Sequence, residues 1–176
     1  MEILPTFVPC LYAVKYPEHS EDELERVFDD WANPMFLNDF FEENEKDLTI
    51  DIESAIAKAQ SEAVYLRNKL IEFAEASPNQ LKELFKNLNN YEYTNATLLP
   101  QQKARNRWLR LYAIKIEVDD QECYYVITGG AIKLDNQHLM EDKKHTSDEL
   151  SKINKCRDYL IAEGVIDNDS FQEIFF

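Results

Sequence analysis

The sequence predicts an α+β fold, an antiparallel sheet with a central β-hairpin, packed against several helices that include one long helix. Two runs rich in β-branched and aromatic residues lie within 105–134 and flank a polar loop, which is the pattern of an antiparallel hairpin. A heptad stripe of apolar residues from Ile52 to Phe73 predicts the long helix. With 176 residues and a hydrophobic content of 44%, the chain is long enough to bury a core. It is predicted to form a single domain, 1–176, with an edge strand in 1–16, a helical insertion in 20–90, and the hairpin with a C-terminal helix in 100–176.

The N-terminal part of the chain is predicted to pass from a strand to two short helices. Residues 6–16 are rich in β-forming residues, and Pro9 places this strand at a sheet edge or at a bulge. The spacing of Ser20 and Glu23 matches a capping box, which predicts a helix start. Asn33-Pro34 then predicts the end of this helix and the start of the next.

The long helix is predicted to span 49–76, with Thr49 as its N-cap. Its stripe either lies across the core of its own domain or forms a coiled-coil seam, which would allow a homodimer through the 49–76 helix. Residues 81–88 predict a shorter helix, and 87–97 predict a loop. The stripe consists of Ile52, Ile56, Ala59, Ala63, Leu66, Leu70 and Phe73.

The C-terminal part of the chain contains two glycines within the second hairpin strand. Gly129 and Gly130 indicate a bulge, a sharp bend or a close backbone approach at this point. The spacing of Thr146 and Glu149 matches a second capping box, which predicts the start of the last long helix. Gly164 is predicted to end that helix in a left-handed conformation.

Charge is distributed unevenly along this acidic chain, whose net charge is −15. Residues 17–53 contain fourteen Asp and Glu against Arg26 and Lys46, a balance of −12, and residues 100–115 contain five basic residues and no acidic ones. Both stretches are interpreted either as solvated surface or as binding surfaces, the acidic one for a basic partner and the basic one for phosphate. The candidate nucleic-acid-binding residues are Lys103, Arg105, Arg107, Arg110 and Lys115.

The remaining composition predicts a cytoplasmic protein without a membrane partner. No apolar run approaches the roughly 20 residues that span a bilayer, and the N-terminus lacks the features of a signal peptide. The three cysteines lie far apart, which favours reduced thiols over a disulfide framework or a zinc site.

Catalytic motifs such as a phosphate-binding loop or a nucleophile elbow are absent from the sequence, and no cofactor or metal is predicted. If the connector 135–145 were helical, four of its side chains at 138, 141, 142 and 145 could hold a metal, but a solvated loop is the favoured interpretation. RNA cleavage without a metal needs a base, an acid and a cation for the phosphate. The candidate catalytic residues are Arg110, Lys133, His138, Lys143, Lys144 and His145.

One segment carries a family resemblance. It contains Arg-Trp-Leu-Arg-Leu-Tyr-Ala-Ile-Lys from Arg107, a short turn, a strand with the step Gly-Gly-x-Ile, a Lys-Lys pair and a capped helix. In these features it resembles the RelE/HigB-type toxin superfamily of toxin–antitoxin systems. The resemblance implies an endoribonuclease that cleaves mRNA on the ribosome and is neutralised by an antitoxin-like protein partner. It also implies that Arg110 corresponds to the family's sheet arginine and that Lys143 or Lys144 corresponds to its basic residues after the last strand.

The chain departs from that family in its strongly acidic composition, since the family's toxins are usually basic. Three functions therefore stay open at this point. They are metal-independent RNA cleavage, a degenerate descendant of such a toxin, and a non-catalytic acidic module that binds or regulates a protein.

Overall fold

The computed structural model describes residues 1–76, 80–88, 101–118, 122–134 and 143–176. Its strands are β1 (Glu2–Pro5), β2 (Leu11–Lys15), β3 (Phe85–Asn87), β4 (Gln101–Asn106), β5 (Leu109–Val118) and β6 (Glu122–Ile132). Its helices are α1 (Glu23–Ala32), α2 (Pro34–Glu43), α3 (Ile52–Ala76), α4 (Leu81–Leu84), α5 (Lys144–Ala162) and α6 (Asn168–Phe175). None of the helices in these residues is both long and apolar enough to cross a membrane.

The six strands found in the described residues form one sheet in the order β1-β2-β6-β5-β4-β3. The central hairpin is confirmed, because β5 and β6 pair antiparallel from Val118 and Glu122 to Leu109 and Ile132. The α+β class is confirmed as well, but the sheet is mixed rather than antiparallel throughout. Strand β2 lies parallel to β6, and a parallel neighbour requires a long crossover, which the intervening helices provide.

Helices cover both faces of the sheet. Side chains on one face, such as Leu111 and Ala113, join a core with α1, α2 and α3, and those on the other face, such as Tyr112 and Ile114, join a core with α5 and α6. We call these the α1–α3 face and the α5–α6 face. Two covered faces explain why the residues from Leu111 to Ile114 of β5 are all apolar, since neither side of this part of the strand faces water.

The part of the chain predicted as one edge strand, 1–16, is in fact a hairpin of β1 and β2, and only β2 lies within the predicted strand 6–16. Strand β1 forms the edge, and β2 lies inside the sheet between β1 and β6. The connecting turn contains Cys10 at φ 60° and is closed by the hydroxyl of Thr6, which donates to the carbonyl of Leu11 at 2.8 Å. The turn therefore divides a stretch whose composition favours β-structure throughout.

The long helix α3 begins at Ile52, three residues later than predicted, with the side chain of Asp51 accepting from the amide of Ser54 at 2.9 Å. Every member of its apolar stripe is buried in the chain's own core or packs against it. A homodimer through this helix would therefore have to use its opposite side, where Val64 and Tyr65 are exposed.

Two local predictions in the middle of the chain were wrong. The segment predicted as a helix, 81–88, contains the single turn α4 and then β3. The first hairpin run was predicted as one strand that starts at Arg105 and includes Trp108, but Arg107 and Trp108 form the turn between β4 and β5. Pairing with the neighbouring strands decides these conformations, and such pairing outweighs local propensity.

A buried glutamate of α3 fixes that turn. The Glu62 side chain, 5% exposed, accepts at Oε2 from the amides of Trp108 at 2.9 Å and Leu109 at 3.4 Å. Replacing Glu62 by Ala is expected to lower the free energy of unfolding by about 2–3 kcal/mol, because the buried amides of Trp108 and Leu109 lose the acceptor that Glu62 provides. Urea denaturation measures this loss. Glu75→Ala, at an exposed position of the same helix, is the control, and an equal effect of the two substitutions would contradict the role given to Glu62.

Candidate functional site

The candidate site lies where β6 continues beyond its pairing with β2. Strand β2 pairs with β6 only at Tyr125–Ile127. Past that point the hydroxyl of Tyr16 donates to the carbonyl of Thr128 at 3.1 Å, and helices α1 and α5 meet beside the strand. The register of β5 against β6 shifts at the same place, which marks a β-bulge. Bulges of this kind occur often beside functional sites.

The two glycines of β6 bring the helices close to the strand. A Cβ on Gly129 would lie 1.9 Å from Oε2 of Glu149, and Gly129 has φ 154°. A Cβ on Gly130 would lie 2.7 Å from Cγ1 of Val27. No larger residue fits at either position without movement, so the close backbone approach predicted from the sequence is confirmed.

A buried pair of glutamates sits against these glycines. Glu23, which is fully buried, binds Arg26 through two bonds of 2.7 and 2.8 Å. Lys152 joins the pair, with Nζ 3.2 Å from Oε2 of Glu23 and 2.8 Å from Oε1 of Glu149. Arg26 also donates to Asp30 at 2.6 Å. Oε2 of Glu149 accepts no hydrogen bond from the described residues, which is a costly state for an ionised buried carboxylate.

Burial shifts the pKa values of Glu149 and His145 in opposite directions. Burial raises the pKa of Glu149 to about 7, and the opposite effect of Lys152 only reduces that shift. Burial lowers the pKa of His145 below its ordinary value of 6.5. Nε2 of His145 lies 3.0 Å from the carbonyl of Ile132. Because a carbonyl only accepts, Nε2 carries the proton in the neutral ring, and Nδ1 is left as the basic nitrogen. Neutral His145 and protonated Glu149 are a base and an acid one helical turn apart.

The side chains of Glu149 and His145 line one cavity of about 260 Å³ between α1, α2, α5 and the C-terminal end of β6. One wall is apolar and largely aromatic. The ring of His145 packs edge-on against the ring of Phe40, with 5.1 Å between the ring centroids. An apolar cavity with a few convergent polar groups of shifted pKa is typical of a catalytic or ligand site. The apolar wall is formed by Val27, Trp31, Phe36 and Phe40, and the polar side chains are Arg26, Asp30, His145, Asp148, Glu149 and Lys152.

Four basic residues converge on the α5–α6 face of the sheet, and we call them the basic surface: Lys103, Arg105, Arg110 and Lys133. Lys103 and Arg105 lie on β4, opposite Tyr112 and Arg110 of β5. Burial lowers the pKa of Lys103, and the charges of Arg110, Lys133 and Arg105 lower it further. Mutual repulsion of this kind indicates that the four charges lie close together.

The basic surface borders the cavity. Arg110 pairs in register with Ala131, and Lys133 follows Ile132, and both Ala131 and Ile132 line the cavity. Tyr112, buried between them, has a pKa raised first by burial; the charge of Arg110 lowers it and that of Glu149 raises it. Its hydroxyl is thus within electrostatic reach of both the basic surface and the cavity carboxyl.

The structure separates the other predicted site residues. Arg107 lies in the turn beside Glu62, and Lys115 lies on the α1–α3 face opposite Tyr125, so neither belongs to the basic surface. Lys143 forms an ion pair with Asp47, Nζ to Oδ2 2.6 Å.

Lys144 is exposed at the start of α5. His138 lies outside the described residues, as do positions 141 and 142 of the proposed metal set. In the described part of the chain, no group of three or more His, Cys, Asp or Glu side chains could hold a metal ion.

Both glutamates of the site were predicted to have a different role. In sequence they occupy the last position of the two capping boxes, but Asp22 caps α1, and α5 begins at Lys144 without a side-chain cap. These two capping-box predictions were wrong, because each carboxyl points to the other across the bulge instead of back to its own helix end. Gly129-Gly130 is the sequence signal that marks the place where they meet.

No protein-family model, curated protein or solved structure matches this chain.

Proposed function

We propose that this chain is a toxin-like component of a toxin–antitoxin module that cleaves RNA without a metal ion. The proposal rests chiefly on His145 and Glu149, which are one turn apart, line the same cavity and have pKa values moved in opposite directions by burial. A pair of groups with such pKa values is suited to act as base and acid near neutral pH. The sequence resemblance to the RelE/HigB-type toxins suggests RNA as the substrate.

In this mechanism Nδ1 of His145 takes the proton of a ribose 2′-hydroxyl, and the 2′-oxygen attacks the adjacent phosphorus. The bond from phosphorus to the 5′-oxygen breaks, and Glu149 gives its proton to that oxygen. The products are a 2′,3′-cyclic phosphate and a free 5′-hydroxyl. Arg110 and Lys133 of the basic surface stabilise the negative charge that develops on the phosphate.

The overall negative charge of the chain limits where RNA can approach. The acidic stretch 17–53 forms α1, α2 and the residues around them, whereas the basic surface lies at β4, β5 and the end of β6. RNA therefore approaches from the strand side of the cavity, and its affinity falls steeply with salt concentration, because phosphate contacts release counterions.

The test uses the purified chain, an unstructured RNA oligonucleotide and excess chelator. We expect cleavage to products that end in a cyclic phosphate, and the double variant Arg105→Ser/Lys133→Ser to bind RNA about tenfold more weakly at low salt. The control is Arg67→Ser/Lys155→Ser, which removes two exposed charges from α3 and α5, outside the basic surface. If the unmodified chain leaves RNA intact and does not arrest growth when expressed, the cleavage mechanism is rejected.

A non-catalytic module that binds a basic protein is the second candidate. The observation that favours it is the balance of −12 over residues 17–53, whose helices keep most of their carboxylates in water. Retained binding of a basic partner by a chain without effect on RNA would select this candidate.

A further inference from the structure

The cavity contains an acceptor that a cation would satisfy. Glu149 is 6% exposed, and its Oε2 accepts no hydrogen bond within the described part of the chain. Two further carboxylates, Asp30 and Asp148, line the same cavity. Together with Glu23 these groups make four carboxyl groups, and the cavity's own cations among the described residues are two, Arg26 and Lys152. An ammonium or guanidinium group offers only donors and a positive charge, which complements this excess of carboxyl groups. A phosphate group offers only acceptors and therefore satisfies Glu149 only while that carboxyl carries a proton.

Aromatic rings beside these carboxylates also suit a cation. Phe36 and Phe40 line the cavity, and Phe36 is 38% exposed. A cation over an aromatic face gains attraction from the ring electrons, and its aliphatic stem packs on the same apolar wall. Long basic side chains combine both features.

The apolar wall continues onto the outer surface. Met35 precedes Phe36 in the first turn of α2 and is 75% exposed, which is unusual for a large apolar side chain in an otherwise acidic segment. An exposed apolar side chain next to a charged cavity is a feature of protein-binding surfaces, where a few anchors carry most of the energy.

We propose that the cavity and the first turn of α2 bind a basic segment of a partner protein, with one lysine or arginine side chain in the cavity and an apolar side chain on Met35. The inference rests on the proposed function in one respect: it assigns this partner to the antitoxin-like role. Charge complementarity with residues 17–53 brings the segment to this side of the molecule.

Such a segment would inhibit cleavage in two ways. It would exclude the RNA strand from His145 and Glu149, which line the cavity. A cation beside Glu149 would also favour the ionised carboxylate, so the group would no longer carry the proton that the leaving oxygen needs.

The test measures the binding of a short fluorescent peptide of Lys, Arg and Leu by anisotropy, without RNA. Asp30→Asn/Asp148→Asn is expected to weaken binding about tenfold, because two charges that face the peptide are lost. The control, Glu163→Gln/Glu173→Gln, removes two exposed charges elsewhere and should change affinity less than about twofold. Met35→Ser should also weaken binding, whereas Ile166→Ser, at another exposed apolar position, should not. In NMR spectra the amide signals of Gly129 and Gly130 are expected to shift when the peptide binds.

Equal effects of the two charge variants would show nonspecific attraction to an acidic protein and would overturn the inference. A peptide that does not bind, or that leaves both glycine signals in place, would overturn it as well. Because RNA is absent from the assay, a chain that binds the peptide at this site but cleaves no RNA would refute the proposed catalysis and leave the docking site standing. The binding of a matching peptide with Glu in place of Lys and Arg should be undetectable.

Discussion

Replacing Glu149 by Gln is expected to lower the rate of RNA cleavage by about 10²–10³-fold, because an amide cannot give a proton to the leaving oxygen. The pH profile should change as well. In the unmodified chain the rate should fall above about pH 7, where Glu149 loses its proton. It should also fall at low pH, where His145 gains a proton, and the midpoint of this fall should lie below 6.5, because burial lowers the pKa of His145 from that ordinary value. Glu149→Gln should lack the alkaline fall and keep the acidic one. Single-turnover rates from pH 5 to 9 measure both limbs.

Asp148→Asn is the matched control, since it removes a carboxylate one residue earlier that also lines the cavity. It should keep both limbs and most of the rate. His145→Ala should show the converse of Glu149→Gln, with the acidic fall lost. An alkaline fall that persists in Glu149→Gln would assign the acid to another group and would contradict the proposed mechanism.

The sequence predicted the parts of the fold that short-range chemistry determines. Asn33 caps α2 ahead of Pro34, through bonds to the amides of Met35 and Phe36, as its residue type implied. Gly164 has φ 92° at the end of α5, as expected for a left-handed cap. In each case the deciding contacts lie within a few residues, so the sequence pattern contains them.

Pairings between segments that lie far apart in the sequence could not be predicted in this way. The parallel contact of β2 with β6 joins residues such as Tyr12 and Val126, and nothing local in either strand specifies its partner. The ion pair of Lys152 with Glu23 spans 129 positions. A glutamate three residues after a Ser or Thr has the same pattern whether it caps a helix or lies buried at a site, and only the tertiary packing distinguishes the two.

The residues of the candidate site could be predicted only in part, for the same reason. His145, Arg110 and Lys133 were named from the sequence because basic and imidazole groups suit phosphate chemistry. Glu149 was missed because its pKa shift comes from burial against β6, and burial depends on the whole fold. Gly129-Gly130 was the one pattern in the sequence that indicated close packing against β6.

Gly129→Ala is expected to lower the free energy of unfolding by at least about 3 kcal/mol. Its Cβ would lie 1.9 Å from Oε2 of Glu149 and 3.1 Å from Oε2 of Glu23, and the backbone has φ 154°, which L-residues rarely adopt. Both carboxyl groups are buried and held by Lys152, so they cannot move aside without losing these bonds. Urea denaturation measures the loss, and circular dichroism before denaturation checks that the variant folds.

Gly164→Ala separates the two causes, because Gly164 also has a positive φ, 92°, but has open space around its Cβ position. It should cost only about 1 kcal/mol, the backbone strain alone. The contact with Glu149 can be tested in a double-mutant cycle, since Gly129→Ala should cost less in the Glu149→Ala background, where the clashing oxygen is absent. Equal costs in both backgrounds would mean that the strand backbone, and not the carboxyl group, requires glycine at this position. The buried carboxyl would then lie farther from β6 than the structure places it, and its acid role would lose its geometric basis.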